Sequence, residues 1–371
     1  MLCIRSLTLV FVVGVVLASP VVAQDWSTVD YIEHSQYQAV NEDGSPAWSG
    51  GFPIRFVGVV LNNTEDWLDP TADYDDGYTP WYMGGQAEIF VQAVNLDDTT
   101  WDPFPGQDFA DFGGTACWMG QNYGNHMMNQ DPLYSYTNDE WTAELARLNF
   151  QGGDAVTDPI RAGDLVEIRA RGGLHYEGKM NVNEQHDNDY DRYDDWDGMG
   201  SDGDGENHDF EVVRLVSGFG LPEAAELTLD VLKDGSDAFY FDHTRQTGGE
   251  RYQSTWVELK DVYLEQTDWT GEEDDGPMVV VNDGAGRSIE VQLGYANGYD
   301  WSQLGADWDS LFGDDPVSIT GILNQSADDR TYSTDGYYLV ALGPDYFVPE
   351  PMSLSLLAIS GAALLCRRRS A

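Results

Sequence analysis

Eleven acidic residues fall within Asp187–Glu211, with Gly198, Gly200, Gly203 and Gly205 between them. Carboxylate oxygens on a glycine-flexed backbone suit calcium, which takes roughly six to eight oxygen ligands. Asp202, Asp204, Glu206 and Glu211 are the expected calcium set. The competing reading of the same residues is a solvated insertion between two strands. His186-Asp187 and His208-Asp209 bracket the stretch. Imidazole beside carboxylate suits a transition metal, but neither pair has His-x-His or His-x-x-x-His spacing. A second acidic loop, Asp66–Asp76, is surrounded by Trp67, Tyr74, Tyr78, Trp81 and Tyr82. Exposed rings in such loops stack on sugars or bases, so Trp67, Trp81 and Trp101 are the candidate binding platforms. Packing within the loops is the default role for aromatic residues of this kind.

Tested against the EF-hand loop, Gly205 at the sixth position puts Asp202 third, Asp204 fifth and Glu211 twelfth. Gly200 then stands first, where a carboxylate is required, and Asn207 stands eighth, where an apolar residue is usual. Any calcium site here is therefore irregular. Gly114-Thr115-Ala116-Cys117-Trp118 is similar to the Cys-Gly-Ser-Cys-Trp surroundings of papain-like nucleophiles. It lacks the first Cys and the Gly, and it lies on an expected strand instead of the helix N-terminus that would stabilise a thiolate. His175, His208 and His243 follow downstream without a spacing that ties them to it. Cys117 is expected to be a buried structural residue. No nucleophile elbow, phosphate-cradling glycine loop or zinc-protease helix occurs in the sequence.

Charge narrows the partners. The chain carries sixty-five acidic and eighteen basic residues, for a net charge of −47. Four of the basic residues, Arg5, Arg367, Arg368 and Arg369, lie in the terminal segments. Between 24 and 350 the formal charge is near −51. Nucleic-acid affinity comes from clustered cations that displace phosphate counterions, so nucleic acid is disfavoured. Acidic excess favours solubility, divalent cations or basic surface partners. Of three cysteines, Cys3 and Cys366 also lie in the terminal segments. Cys117 then has no partner for an intramolecular disulfide, and the body must rely on its apolar core.

The elements that would position these residues are mostly strands. Short apolar or alternating runs recur between Gly, Asp, Asn and Pro clusters: Ile54–Leu61, Ala87–Val94, Thr115–Met119, Leu165–Arg171, Lys179–Glu184 and Phe210–Val216, then Thr255–Glu265, Met278–Asn282, Ser288–Leu293, Val317–Leu323 and Tyr337–Leu342. Thr137-Asn138-Asp139-Glu140 has capping-box spacing, and Trp141, Leu145 and Leu148 form one helical stripe. Tyr299–Phe312 fills the equivalent slot in the second series, although Gly305 weakens it as a helix. Gly218, Gly220 and Pro222 at one end and Gly248-Gly249 at the other mark 217–254 as a linker, with Leu227–Leu232 a short element leading out of it.

Three strands, a helix and two strands are the order of an OB-fold, a five-stranded Greek-key barrel. Ala162–Arg171 followed by Tyr176–Asn183 looks like the strand 4 to strand 5 hairpin of bacterial extracellular OB-fold domains, and Gly248–Val262 is similar to their approach to strand 1. The fold expected is all-β: two OB-like five-stranded barrels in tandem, each with at most one short helix. The first spans 24–216 with the acidic insertion 187–211, and the second spans 255–347. The rival is a β-sandwich or jelly roll with the same strand count.

Both ends read as export signals. Arg5, the apolar run Leu7–Leu17 and Val21-Val22-Ala23 form a secretory signal over 1–23, with cleavage expected after Ala23. At the other end, Val348-Pro349-Glu350-Pro351, an apolar run from Met352 to Cys366 and Arg367-Arg368-Arg369 together resemble the PEP-CTERM sorting tail, over 348–371. The three arginines resist translocation, and fifteen apolar residues are short for a permanent span. A signal helix and a sorting helix are thus expected at the ends. The resemblance implies a bacterial protein handled by secretion machinery and an exosortase-type membrane transpeptidase, and destined for the cell envelope or exterior. The expected role is non-catalytic, surface-structural or adhesive, toward extracellular polysaccharide or basic surfaces, with Ca2+ the ion expected on the acidic loops. The alternatives are a secreted nuclease or glycan-hydrolase accessory module and a calcium-dependent glycan binder.

Overall fold

Alternating apolar residues over five to nine positions give strands with two distinct faces. A computed structural model describes residues 25–69, 86–94, 111–120, 160–184, 210–270, 277–294, 299–327 and 333–350. The expected signal helix, sorting helix and Thr137 helix lie outside these residues. In the first half the strands are β1 (Ile54–Val60), β2 (Leu68–Asp69), β3 (Gln86–Ala93), β4 (Gly114–Gly120), β5 (Leu165–Ala170), β6 (Leu174–Tyr176), β7 (Lys179–Glu184) and β8 (Phe210–Val216). A short helix, α1 (His34–Tyr37), precedes them. They form one sheet in the order β6-β7-β4-β3-β1-β5-β8, with β2 beside β3.

The second half contains β9 (Ala225–Leu227), α2 (Leu229–Leu232), α3 (Gly248–Tyr252), β10 (Thr255–Asp268), β11 (Met278–Asn282), β12 (Ser288–Leu293), α4 (Ser302–Leu311), β13 (Val317–Gln325), β14 (Tyr337–Ala341) and β15 (Phe347–Pro349). Strands β10, β11, β12, β14 and β13 close on themselves through β13–β10 pairing, which makes a five-stranded barrel. All pairs in the ring are antiparallel except β12–β14. The long β10 serves two neighbours in turn, β13 up to Val262 and β11 from Tyr263, with register shifts at Leu259/Val262 and Leu264/Gln266. Such bulges bend a strand and let a small barrel turn its corner.

The first half begins in the same way but differs at the closing pair. Among the described residues no ladder joins β5 to β7. The reason is occupancy of edges: β1 pairs with β5 from Leu165 to Ala170, and β8 pairs with it over the same residues. Both edges of β5 are taken. The expected hairpin forms one element later, between β6 and β7. Glu177 and Gly178 turn it, at φ of 51° and 94°. Two successive positive φ values match the right-handed twist of a tight hairpin.

Within residues 217–254, expected as a linker, the segment 225–232 packs on the second barrel. β9 pairs in parallel with β10, and Leu227, Leu229 and Leu232 are buried in the barrel core with Val257, Val281 and Leu339. α4 plugs the same core with Leu304 and Trp308, joined by Phe312 just past its end. Gly305, which weakens the helix by propensity, has a packing reason. A Cβ there would lie 2.5 Å from Cδ1 of Trp269, whose ring packs at a tilt of 40° against Trp308 with centroids 5.6 Å apart.

The two halves share an apolar seam. Leu61, Phe90, Ala116, Trp256, Ile322, Tyr338, Val340 and Leu342 cluster there, with Trp67, Ala224 and Tyr346 packed against them. Period-two alternation supplies both faces. Tyr337, Leu339 and Ala341 fill the barrel interior, whereas Tyr338, Val340 and Leu342 fill the seam. Among the described residues no helix is long and apolar enough to cross a membrane.

Candidate functional site

Buried polar groups must find hydrogen-bond partners or impose a large desolvation cost, so a dense set of them marks a region whose geometry is tightly specified. The seam holds such a set. Glu88, Lys179, Gln253, Asn324 and Gln325 are each at most 6% exposed. Lys179 Nζ donates to the Gln325 carbonyl at 2.7 Å and lies 4.0 Å from Glu88 Oε1. Gln253 Nε2 donates to Gln325 Oε1 at 2.5 Å. Asn324 Nδ2 donates to Tyr338 OH at 2.7 Å. Trp256 N donates to Gln92 Oε1 at 2.8 Å. Burial pushes the Glu88 carboxyl up, opposed by the Lys179 charge and by hydrogen bonds from Asn324 and Trp67.

A second polar cluster sits beside it. Asp242 opens a turn by accepting from the backbone N–H groups of Thr244, Gln246 and Thr247, at 2.9, 3.0 and 3.1 Å. With the Thr244 hydroxyl as the largest cause, these bonds bring its carboxyl down to about 2. The turn delivers Arg245 into the protein. Its Nε donates to the Glu250 carbonyl at 2.9 Å and its Nη1 to the Ser35 carbonyl at 3.1 Å. The Tyr337 hydroxyl donates to Glu250 Oε1. Across the junction, the amides of His34 and Ser35 donate to Asp111 at 2.7 and 3.0 Å. His34 itself is buried, with Nδ1 2.9 Å from Thr115 Oγ1, and desolvation lowers its pKa.

Glu250 is fully buried. Desolvation raises its carboxyl pKa to about 7, against the Tyr337 hydrogen bond and the Arg245 charge. The folded chain therefore holds a proton that the unfolded chain, near 4.5, releases. This stability is complete below about pH 4.5 and is lost as pH rises through about 7. A shift of that size corresponds to roughly 3 kcal/mol. Glu250→Gln keeps the Tyr337 contact and removes the ionisation. Its unfolding free energy, measured by denaturant titration from pH 4.5 to 8, should lack most of the decline seen in the parent chain. Parallel profiles for the two would refute the assignment.

The residues singled out in the sequence are dispersed. Glu211 lies on β8 and pairs with Arg169 at 3.4 Å and Arg171 at 2.9 Å. Its oxygens are engaged by guanidinium groups. Trp67 is half-buried, packs on the seam cluster and hydrogen-bonds Glu88. Its ring and its N–H are both used internally. Asp66 accepts from Asn63 N and Nδ2, at 2.9 and 2.8 Å, and closes a local turn. Asp202, Asp204, Glu206, Trp81, Trp101, His186 and His208 lie outside the described residues, as do Ala23, Pro351, Arg367, Arg368 and Arg369. Among the described residues no group of three His, Cys, Asp or Glu side chains is arranged to hold a metal ion. Cys117 is buried in the first core, and desolvation pushes its thiol far above the usual range.

Sequence reasoning missed Gln253, Gln325, Arg245 and Glu250. Their one local signal is Gly248-Gly249, where a Cβ on Gly249 would lie 2.5 Å from the Tyr337 ring. No protein-family model matches the chain, and comparison with curated proteins finds no relative.

Proposed function

We propose that this chain is an exported bacterial surface protein, a non-catalytic scaffold that presents acidic loops from two fused OB-like domains. The observation that carries the reading is the seam. Its buried Lys179–Gln325–Gln253 chain and apolar cluster weld two sheets into one support, while sixty-five carboxylates make the whole strongly anionic. The OB-like description rests on strand order. In chain order the barrel has α4 between its third and fourth strands, β12 and β13, and the first half repeats the strand pairing of that ring as β4-β3-β1-β5. Rigid support with loop display suits adhesion or matrix assembly, toward polysaccharide or a basic surface, with exosortase-type processing of the tail.

Cell fractionation tests the export half of this reading. Mature chain starting at Gln24 is expected in the envelope or medium. Intact, unprocessed polypeptide in the soluble cell interior would overturn it. The calcium component has its own test, thermal melting of the protein in millimolar calcium or chelator. A ligand that binds only the folded state raises the midpoint by mass action, about 2.7 kcal/mol at a hundredfold excess over Kd. Superimposable curves would remove calcium from the proposal and leave the acidic loops as solvating charge.

A further inference from the structure

We propose that Glu350 is a structural clasp of the second barrel, so that proteolytic maturation of this chain leaves Glu350 on the mature protein. Only the processing half of this statement rests on the sorting-tail reading. The clasp rests on geometry. β15 pairs antiparallel with β13, Val317 opposite Pro349 and Ile319 opposite Phe347. Phe347 is buried in the barrel core, its ring 6.2 Å from Trp301 and 5.8 Å from Trp308. The next residue but two continues the attachment. Glu350 N donates to the Pro316 carbonyl at 3.2 Å, and the Glu350 side chain is folded inward, only 7% of the residue being exposed.

The carboxylate has a defined task. β10 breaks register between Leu259 and Val262, and Asp261 adopts a φ of 56° there. A bulge leaves a backbone donor without its ladder partner. Glu350 Oε1 supplies it, accepting from Asp261 N at 3.3 Å and from the buried Ser318 hydroxyl. One oxygen therefore ties β10 to β13 at the point where the ring bends. The first two residues of Pro349-Glu350-Pro351 thus belong to the folded domain.

Cleavage needs an extended backbone that has left its sheet, and opening a paired, core-anchored strand costs free energy. The scissile bond consistent with the folded barrel has its carbonyl carbon at Glu350 or beyond. In such a cut the bond from that carbon to the following nitrogen breaks. Water or an acceptor amine bonds to the carbon, and its proton departs on the released amine.

Two measurements decide the matter. In the full chain, Glu350→Ala should speed hydrogen exchange at the Asp261 amide at least tenfold and lower the melting midpoint, whereas Glu350→Gln, which retains an accepting oxygen, should restore both. Ser318→Ala, which removes only one donor, serves if the alanine variant does not fold, and should give an intermediate midpoint. Asp261 exchange unchanged by Glu350→Ala overturns the clasp, as does an unchanged midpoint in Ser318→Ala. Mass spectrometry of the protein recovered from its producing cell should find a C-terminus at Glu350 or later. A mature chain ending at Val348 or Pro349 overturns the inference. Recovery of unprocessed chain alone overturns the sorting reading, and amide exchange then decides the clasp by itself.

Discussion

Gly114→Ala will break the join between the two halves. Gly114 opens β4, and a Cβ built on it would lie 1.9 Å from the Ser254 carbonyl oxygen and 2.8 Å from the carbonyl carbon. No real side chain tolerates that approach, and both partners are backbone. Ser254 has little room to yield. It is fully buried, sits at a φ of 56° and donates to the Leu323 carbonyl at 2.7 Å. Overpacking ordinarily costs about 1–3 kcal/mol. Here the alternative to a clash is separation of the sheets, with exposure of Phe90, Trp256 and Ile322, and burying each such side chain is worth about 1.5–3 kcal/mol. The expected loss is about 3 kcal/mol or more in denaturant unfolding, with a split into two transitions as the halves uncouple. Gly51→Ala is the control, since nothing lies within 4 Å of a Cβ there. Equal stability of the two variants would show that the halves do not depend on this contact.

Asp164→Ala should be comparably severe by a different route. Asp164 accepts from Arg161 N at 3.0 Å and from Gly218 N at 2.8 Å, and its carboxylate is 2.9 Å from Arg214 Nε. The two side chains are only 4% and 6% exposed. Removing the acid takes away the buried ion pair at Arg214 Nε and the acceptor of two backbone N–H groups, at the corner where β1, β5 and β8 meet. Breaking a buried pair costs about 3–5 kcal/mol, although the intact pair is worth far less than that relative to apolar residues. The asymmetry gives the experiment its shape. Asp164→Ala combined with Arg214→Met should recover a substantial part of the loss in a double-mutant cycle. Strict additivity of the two changes would mean that the cost lies in the corner's backbone and not in the charge.

Much of the fold is legible in the sequence because its signals are local. Lys179–Glu184, Phe210–Val216, Met278–Asn282 and Ser288–Leu293 run between the same residues whether read from alternation and flanking turn residues or from the hydrogen-bonded ladders. The closed ring of the second half follows from the order of such elements. Other features have no local signature. β9 is three residues long and earns its place by parallel pairing with β10. The missing β5–β7 ladder depends on β8, forty or more residues further along the chain, pairing with that edge of β5. Gly305 reads as a helix breaker until Trp269, far away along the chain, is seen to need the space. The candidate site was the least legible part. Acid clusters and tryptophans draw attention by composition, yet Glu211 and Trp67 are spent on ion pairing and packing. Gln253 and Gln325, which hold the seam, look like ordinary polar residues in sequence.

The ring of the second half is closed by pairing Thr255 with Leu323 and completed by β14, which ends at Ala341. Contacts between residues so distant along the chain form slowly, because the intervening loop must be ordered before any bond rewards it. During synthesis from the N-terminus, the chain has to emerge as far as Ala341 before this cylinder is able to seal. Late sealing leaves the apolar inner faces of β10, β11 and β12 uncovered until β13 and β14 have been made.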